Sequence, residues 1–88
     1  MPAPQPEGAE DRERARLRWR CRRGMKELDL VLLRYLERDF PQAAPEERAA
    51  FARILDLQDP ELFGYLVGRA VPADEALHHV LSRIRHDR

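Results

Sequence analysis

Threonine is absent from this 88-residue chain, and serine (Ser82) and cysteine (Cys21) occur once each. A lone cysteine cannot close an internal disulfide, and one serine outside any nucleophile elbow leaves covalent catalysis without its usual starting point. No glycine-rich phosphate loop is present. Cys21 with His78, His79 and His86 forms no recognised metal-binding spacing, and adjacent histidines point about 100° apart on a helix. Long apolar runs are missing too: none approaches the roughly 18 residues that cross a bilayer. Met1–Glu10 lacks the basic start and apolar middle of a signal peptide. These absences argue against an enzyme, a metal site and direct membrane insertion, and indicate a reducing, cytoplasmic setting.

Net charge of one sign is also lacking. Sixteen Lys and Arg balance sixteen Asp and Glu, which leaves no overall field to draw the chain to nucleic acid or anionic lipid. The placement is nonetheless uneven. Arg12 to Arg23 holds seven arginines and one acid, Glu13, whereas Glu37 to Glu61 holds seven acids and three arginines. The arginine run could follow a phosphate backbone with Trp19 stacking on a base, or dock on an acidic protein surface. Zero net charge and the lack of a nucleic-acid motif favour the protein partner.

What remains is rich in helix formers and punctuated by proline and glycine. A chain of 88 residues is expected to form one domain. Residues 1–9, with three prolines and no large apolar side chain beyond Met1, read as a disordered tail ahead of a single domain over 10–88. The first helix is expected from about Glu10 to Arg22, with Gly24 as its left-handed end and with Leu17–Cys21 and Ala15–Trp19 as separate four-residue pairs. The second, Met25 to Asp39, carries Met25, Leu28, Leu32, Tyr35 and Leu36 on one stripe. Leu30, Val31 and Leu33 widen that stripe almost to a full circle.

Phe40-Pro41 closes this helix, because the residue before proline is pushed out of helical geometry. Pro45-Glu46-Glu47 opens a third, running to about Leu57 and burying Ala50, Phe51, Ile54 and Leu55. Asp59-Pro60-Glu61 opens a fourth, with the Asp59 carboxylate as cap, Leu62, Phe63, Leu66 and Val67 as apolar positions and Gly68 as terminator. Pro72-Ala73-Asp74-Glu75 starts the last, where Leu77, Val80, Leu81 and Ile84 share one face. No window alternates like a strand, so the sequence predicts an all-α fold, a small monomeric five-helix bundle.

The most informative segment is Arg22-Arg23-Gly24-Met25-Lys26-Glu27-Leu28-Asp29, which places both charge signs and a glycine at a helix junction. Two readings fit it. Gly24 permits a tight turn and close approach by another backbone, with Arg23 and Glu27 offering donors and acceptors to a partner. Equally, it is a helix terminator beside an exposed Arg–Glu pair worth about 0.2–0.5 kcal/mol.

These residues resemble the flavinylation factors of succinate dehydrogenase and fumarate reductase, the SdhE family of bacteria, whose signature RGxxE reads here Arg23-Gly24-Met25-Lys26-Glu27. The likeness extends over Trp19–Asp29, continues through Asp59-Pro60-Glu61-Leu62-Phe63 and Pro72-Ala73-Asp74, and spans about Trp19 to Ile84. It implies a five-helix assembly factor, or chaperone, that binds the flavoprotein subunit of either enzyme. The factor would promote attachment of FAD to a histidine of that subunit without stably holding the cofactor itself. Arg23, Gly24 and Glu27 would lie in the protein-binding interface near the flavoprotein's active site, flanked by Arg22, Met25 and Asp29.

Some features depart from the family pattern. Tyr65 stands where tryptophan is frequent, and Arg69-Ala70-Val71 replaces a more usual glycine-containing turn. Bacterial members have also been described as antitoxins, so a toxin-binding module is the alternative partner reading. Nucleic-acid binding through the arginine-rich helix is a further one.

Overall fold

A computed structural model describes residues 5–86, with side chains from Arg12 onward. Among the described residues five α-helices follow one another: α1 Gln5–Arg20, α2 Lys26–Arg38, α3 Pro45–Leu55, α4 Asp59–Leu66 and α5 Glu75–His86. A 3-10 turn at Phe40–Gln42 joins α2 to α3. No strand occurs among the described residues, and no helix among them is long and apolar enough to cross a membrane.

Several boundaries differ from expectation for identifiable reasons. α1 opens at Gln5 rather than Glu10, with Pro6 in its first turn, where a missing N–H costs no hydrogen bond. Of the expected loose tail, Met1–Pro4 lie outside the described residues. α1 ends at Arg20, its last carbonyls taken up by the Cys21 amide on Leu17 and the Arg22 amide on Trp19. Gly24, at φ +85°, therefore does not terminate α1 directly; it turns the chain into α2 four residues later. α3 stops at Leu55, short of Leu57.

Other signals act where expected. Pro45 stands in the first turn of α3 with Glu46 and Glu47 beside it. Gly68, also at φ +85°, closes α4. Its amide donates to the Tyr65 carbonyl and the Arg69 amide to that of Gly64, the paired bonds of a Schellman cap. Asp74 caps α5 by accepting from the amides of Ala76 at 2.8 Å and Leu77 at 3.2 Å.

The core follows the periodicity. Leu28, Leu32, Tyr35 and Leu36 of α2 are buried with Ala50, Phe51, Ile54 and Leu55 of α3, Leu62 and Leu66 of α4, and Val80, Leu81 and Ile84 of α5. Each such large side chain stabilises the fold by roughly 1.5–3 kcal/mol when fully removed from water. α5 packs against α2, α3 and α4, which makes it the shared wall of the bundle. Phe51 sits centrally, its ring 4.7 Å from Tyr35 and 5.7 Å from Phe40. Among the described side chains at this end of the chain, Leu17 of α1 and Cys21 just after it reach this core, and Trp19 is left exposed.

Candidate functional site

The signature occupies the junction of α1 and α2, and the fold splits its residues into two groups. Arg23 and Asp29 turn inward. The Arg23 amide donates to Asp29 Oδ1 at 2.8 Å, pinning the turn across Gly24. The Arg23 side chain, 11% exposed, reaches the α3–α4 junction. There Nη1 donates to the Leu55 carbonyl at 2.8 Å, Nη2 to the Leu57 carbonyl, and Nε to Asp59 Oδ1 at 2.8 Å. A guanidinium fits this place because the end of a helix presents carbonyls without intrahelical donors and carries partial negative charge.

This arrangement corrects one expectation. Asp59 does not cap α4: Gln58 holds the N-cap position without a side-chain bond, and Asp59 gives its carboxylate to Arg23. The Arg23 side chain, which the resemblance implies lies in the interface with the flavoprotein, is engaged within the chain, where it anchors the loop. The contact joins the first and second sequence blocks, since the arginine of one is held by the turn that opens the other. The sequence signal that could have shown it is an arginine before a left-handed glycine together with Asp59-Pro60 at another helix junction.

Arg22, Gly24, Met25 and Glu27 form the outward group, all exposed. A Cβ built on Gly24 would meet nothing within 4 Å, so this glycine is required for its backbone conformation and not for lack of space inside the chain. Met25, expected on the core stripe, is instead the N-cap residue of α2 and 37% exposed, because the helix begins one residue later at Lys26. Glu27 lies in the first turn of α2, where an acid is favoured by the helix dipole. It makes no hydrogen bond or ion pair among the described residues. Arg22 lies over the Trp19 ring, 5.1 Å from its centroid, making a cationic and aromatic platform beside the turn.

Next to Glu27 opens a groove of about 330 Å³ between α2, α4 and α5. Its floor is apolar, with Leu28, Leu66 and Ile84, and its walls include Leu30, Val31, Phe63 and Val67. Glu27 and Arg34 stand at its rim. From the sequence, Leu30 and Val31 were read only as a widening of the α2 stripe, and Phe63 and Val67 as apolar positions of the fourth helix; the spacing Glu27, Leu30, Val31, Arg34 was the available sign of a second face.

The arginines of α1 are less available than their number suggests. Arg18 pairs with Glu37 at 3.1 Å, Arg20 with Asp56, and Arg23 with Asp59, so much of the uneven charge is matched within the chain. Cys21, the one thiol, is buried, and burial pushes its pKa up to about 12, which removes it as a nucleophile near neutral pH.

A family model described as the flavinator of succinate dehydrogenase, Sdh5, matches residues 15–88, which takes in the signature, its anchor and α2 to α5. The FAD assembly factor SdhE of Methylococcus capsulatus is 48% identical over 73 residues, covering 83% of this chain and 88% of that protein. Its counterpart in Serratia sp. is 37% identical over 70 residues, or 80% of each chain. That of Yersinia pseudotuberculosis is 36% identical over 72 residues, or 82% of each. With a signature turn, an anchor and relatives that cover most of its length, this chain belongs to the Sdh5 family of succinate dehydrogenase flavinators.

Proposed function

We propose that this chain binds the flavoprotein subunit of succinate dehydrogenase and promotes covalent attachment of FAD to it, through the exposed edge formed by Arg22, Gly24, Met25 and Glu27. The observation that carries this reading is the family match over residues 15–88, supported by the division of the signature into a buried anchor and an exposed edge. The flavoprotein of fumarate reductase, implied by the same resemblance, would use the same edge.

The factor contributes shape and charge, while the histidine and FAD that react belong to the client. Fixing reacting groups in the correct geometry can lower a barrier by several kcal/mol without any added nucleophile. Arg23 and Asp29 serve this by holding the turn rigid, so that Gly24 lets a client backbone come close and Glu27 offers a charged acceptor at a defined place. The buried Cys21 thiol is consistent with a role that needs no covalent intermediate on this chain.

The test is covalent FAD on the client subunit, read by in-gel fluorescence after co-expression in cells lacking their own factor. Glu27→Ala is expected to abolish flavinylation. It should cost the fold only the dipole contribution of a first-turn acid, about 0.3–1 kcal/mol. A variant that melts normally and supports full flavinylation would show that this edge is not the binding site.

A further inference from the structure

α2 turns a second face to solvent, and it is not the polar face a surface helix usually shows. Glu27, Leu30, Val31 and Arg34 follow the i, i+3, i+4, i+7 spacing of one stripe about 10 Å long. Leu30 is 51% exposed, and Val67, which lines the same groove just past the end of α4, is 43% exposed. In a chain of which 36% is charged, two large apolar side chains facing each other across a concave surface mark a place that a partner covers. The groove is continuous with the signature, because Glu27 belongs to both.

Resting on the assembly-factor reading, we propose that this groove seats an amphipathic segment of the flavoprotein subunit, with an apolar side chain entering between Leu30 and Val67 and a basic residue meeting Glu27. Charge complementarity sets the place of the basic residue: it meets Glu27 at the start of α2, where no described side chain pairs with that carboxylate. A second copy of this chain is the weaker occupant. Its matching surface is also concave, and two grooves set face to face leave their floors unfilled, whereas a protruding side chain fills one. The groove thus supplies apolar anchoring, and the Gly24–Glu27 edge supplies polar registration.

The experiment compares full-length wild type, Leu30→Asp, Val67→Asp, Leu30→Met and Glu27→Ala for affinity to the isolated flavoprotein subunit of succinate dehydrogenase. Each variant is checked by thermal melt and sedimentation. Both Asp variants are expected to bind at least about tenfold more weakly with an unchanged melt, while Leu30→Met, which keeps the apolar contact, binds like wild type. Full affinity in the folded Asp variants, with Glu27→Ala still defective, overturns the groove proposal and leaves the assembly-factor reading standing. Wild-type protein that does not bind the subunit at all would instead remove the reading beneath it. Asp variants that bind the subunit normally but lose self-association would assign the groove to a second copy, and also overturn the proposal.

Discussion

Arg23 commits its guanidinium to two main-chain carbonyls and a carboxylate, so its replacement strands three acceptors at one helix junction. The Asp59 side chain is 38% exposed, and water recovers part of that loss. Arg23→Ala is therefore expected to destabilise the protein by about 2–4 kcal/mol, measured by denaturant unfolding. Arg23→Lys should recover only part, because a point ammonium cannot span the same fork. Flavinylation by Arg23→Ala should fall with the folded, correctly turned population, in contrast to Glu27→Ala, which keeps its fold and loses activity. Gly24 separates backbone from bulk in the same way. Its φ of +85° costs any side chain about 1–2 kcal/mol, yet the space around its Cβ position is open. Gly24→Ala and Gly24→Arg are expected to melt alike, with only the arginine variant failing to support covalent FAD attachment. Equal failure of both would assign the requirement to backbone geometry.

At the level of elements, the buried faces of α2, α3 and α5 were legible because their apolar spacing is regular, and Pro45 and the Asp74 cap mark the starts of α3 and α5. Gly68 was legible for the same reason, a left-handed glycine directly after an apolar run. α1 was harder: a helix with arginine at alternate positions has no continuous apolar face to fix its ends, and among its described side chains Leu17 is the buried apolar one. The Arg23 anchor was hidden because it depends on the α3–α4 turn, 32 to 36 residues away, lying beside the signature. Tertiary placement, not local pattern, decided whether that arginine faces in or out. At the start of α5, where a local cap and a tertiary ion pair meet on Asp74, a pH test follows. The Asp74 carboxyl is held below its usual range, first by the hydrogen bond from Arg53 at 2.7 Å and then by the backbone amide of Leu77. A depressed folded-state pKa stabilises above the unfolded value, about 3.9, and the benefit disappears as pH falls through the folded value. Asp74→Ala should thus melt below wild type at pH 6–7, and the gap should narrow steadily below about pH 4. A gap that is constant with pH would mean that the charge of Asp74 contributes nothing.

Across the whole molecule, the basic start and acidic middle of the chain partly neutralise each other through the Arg18–Glu37, Arg20–Asp56 and Arg23–Asp59 pairs. The first two are exposed pairs of the kind worth at most about 1 kcal/mol, so their effect is mainly on the field that the protein presents. On α1, Arg12 and Arg16 are exposed and one helical turn apart, where their charge can act on an approaching acidic surface. Neither residue contributes to the core. Reversing both charges therefore tests attraction without testing the fold. Wild-type association with the flavoprotein subunit is expected to slow as ionic strength rises from about 0.01 to 0.15 M, over which the screening length falls from about 30 to 8 Å. The Arg12→Glu/Arg16→Glu variant should associate slowly at low salt, respond weakly to added salt and dissociate at the wild-type rate, because distant charges guide encounter more than they hold the docked complex. Stopped-flow association traces at several salt concentrations decide it. If the variant associates as fast as wild type at low salt, α1 plays no part in steering, and attraction must come from Arg22 and the platform it forms with Trp19.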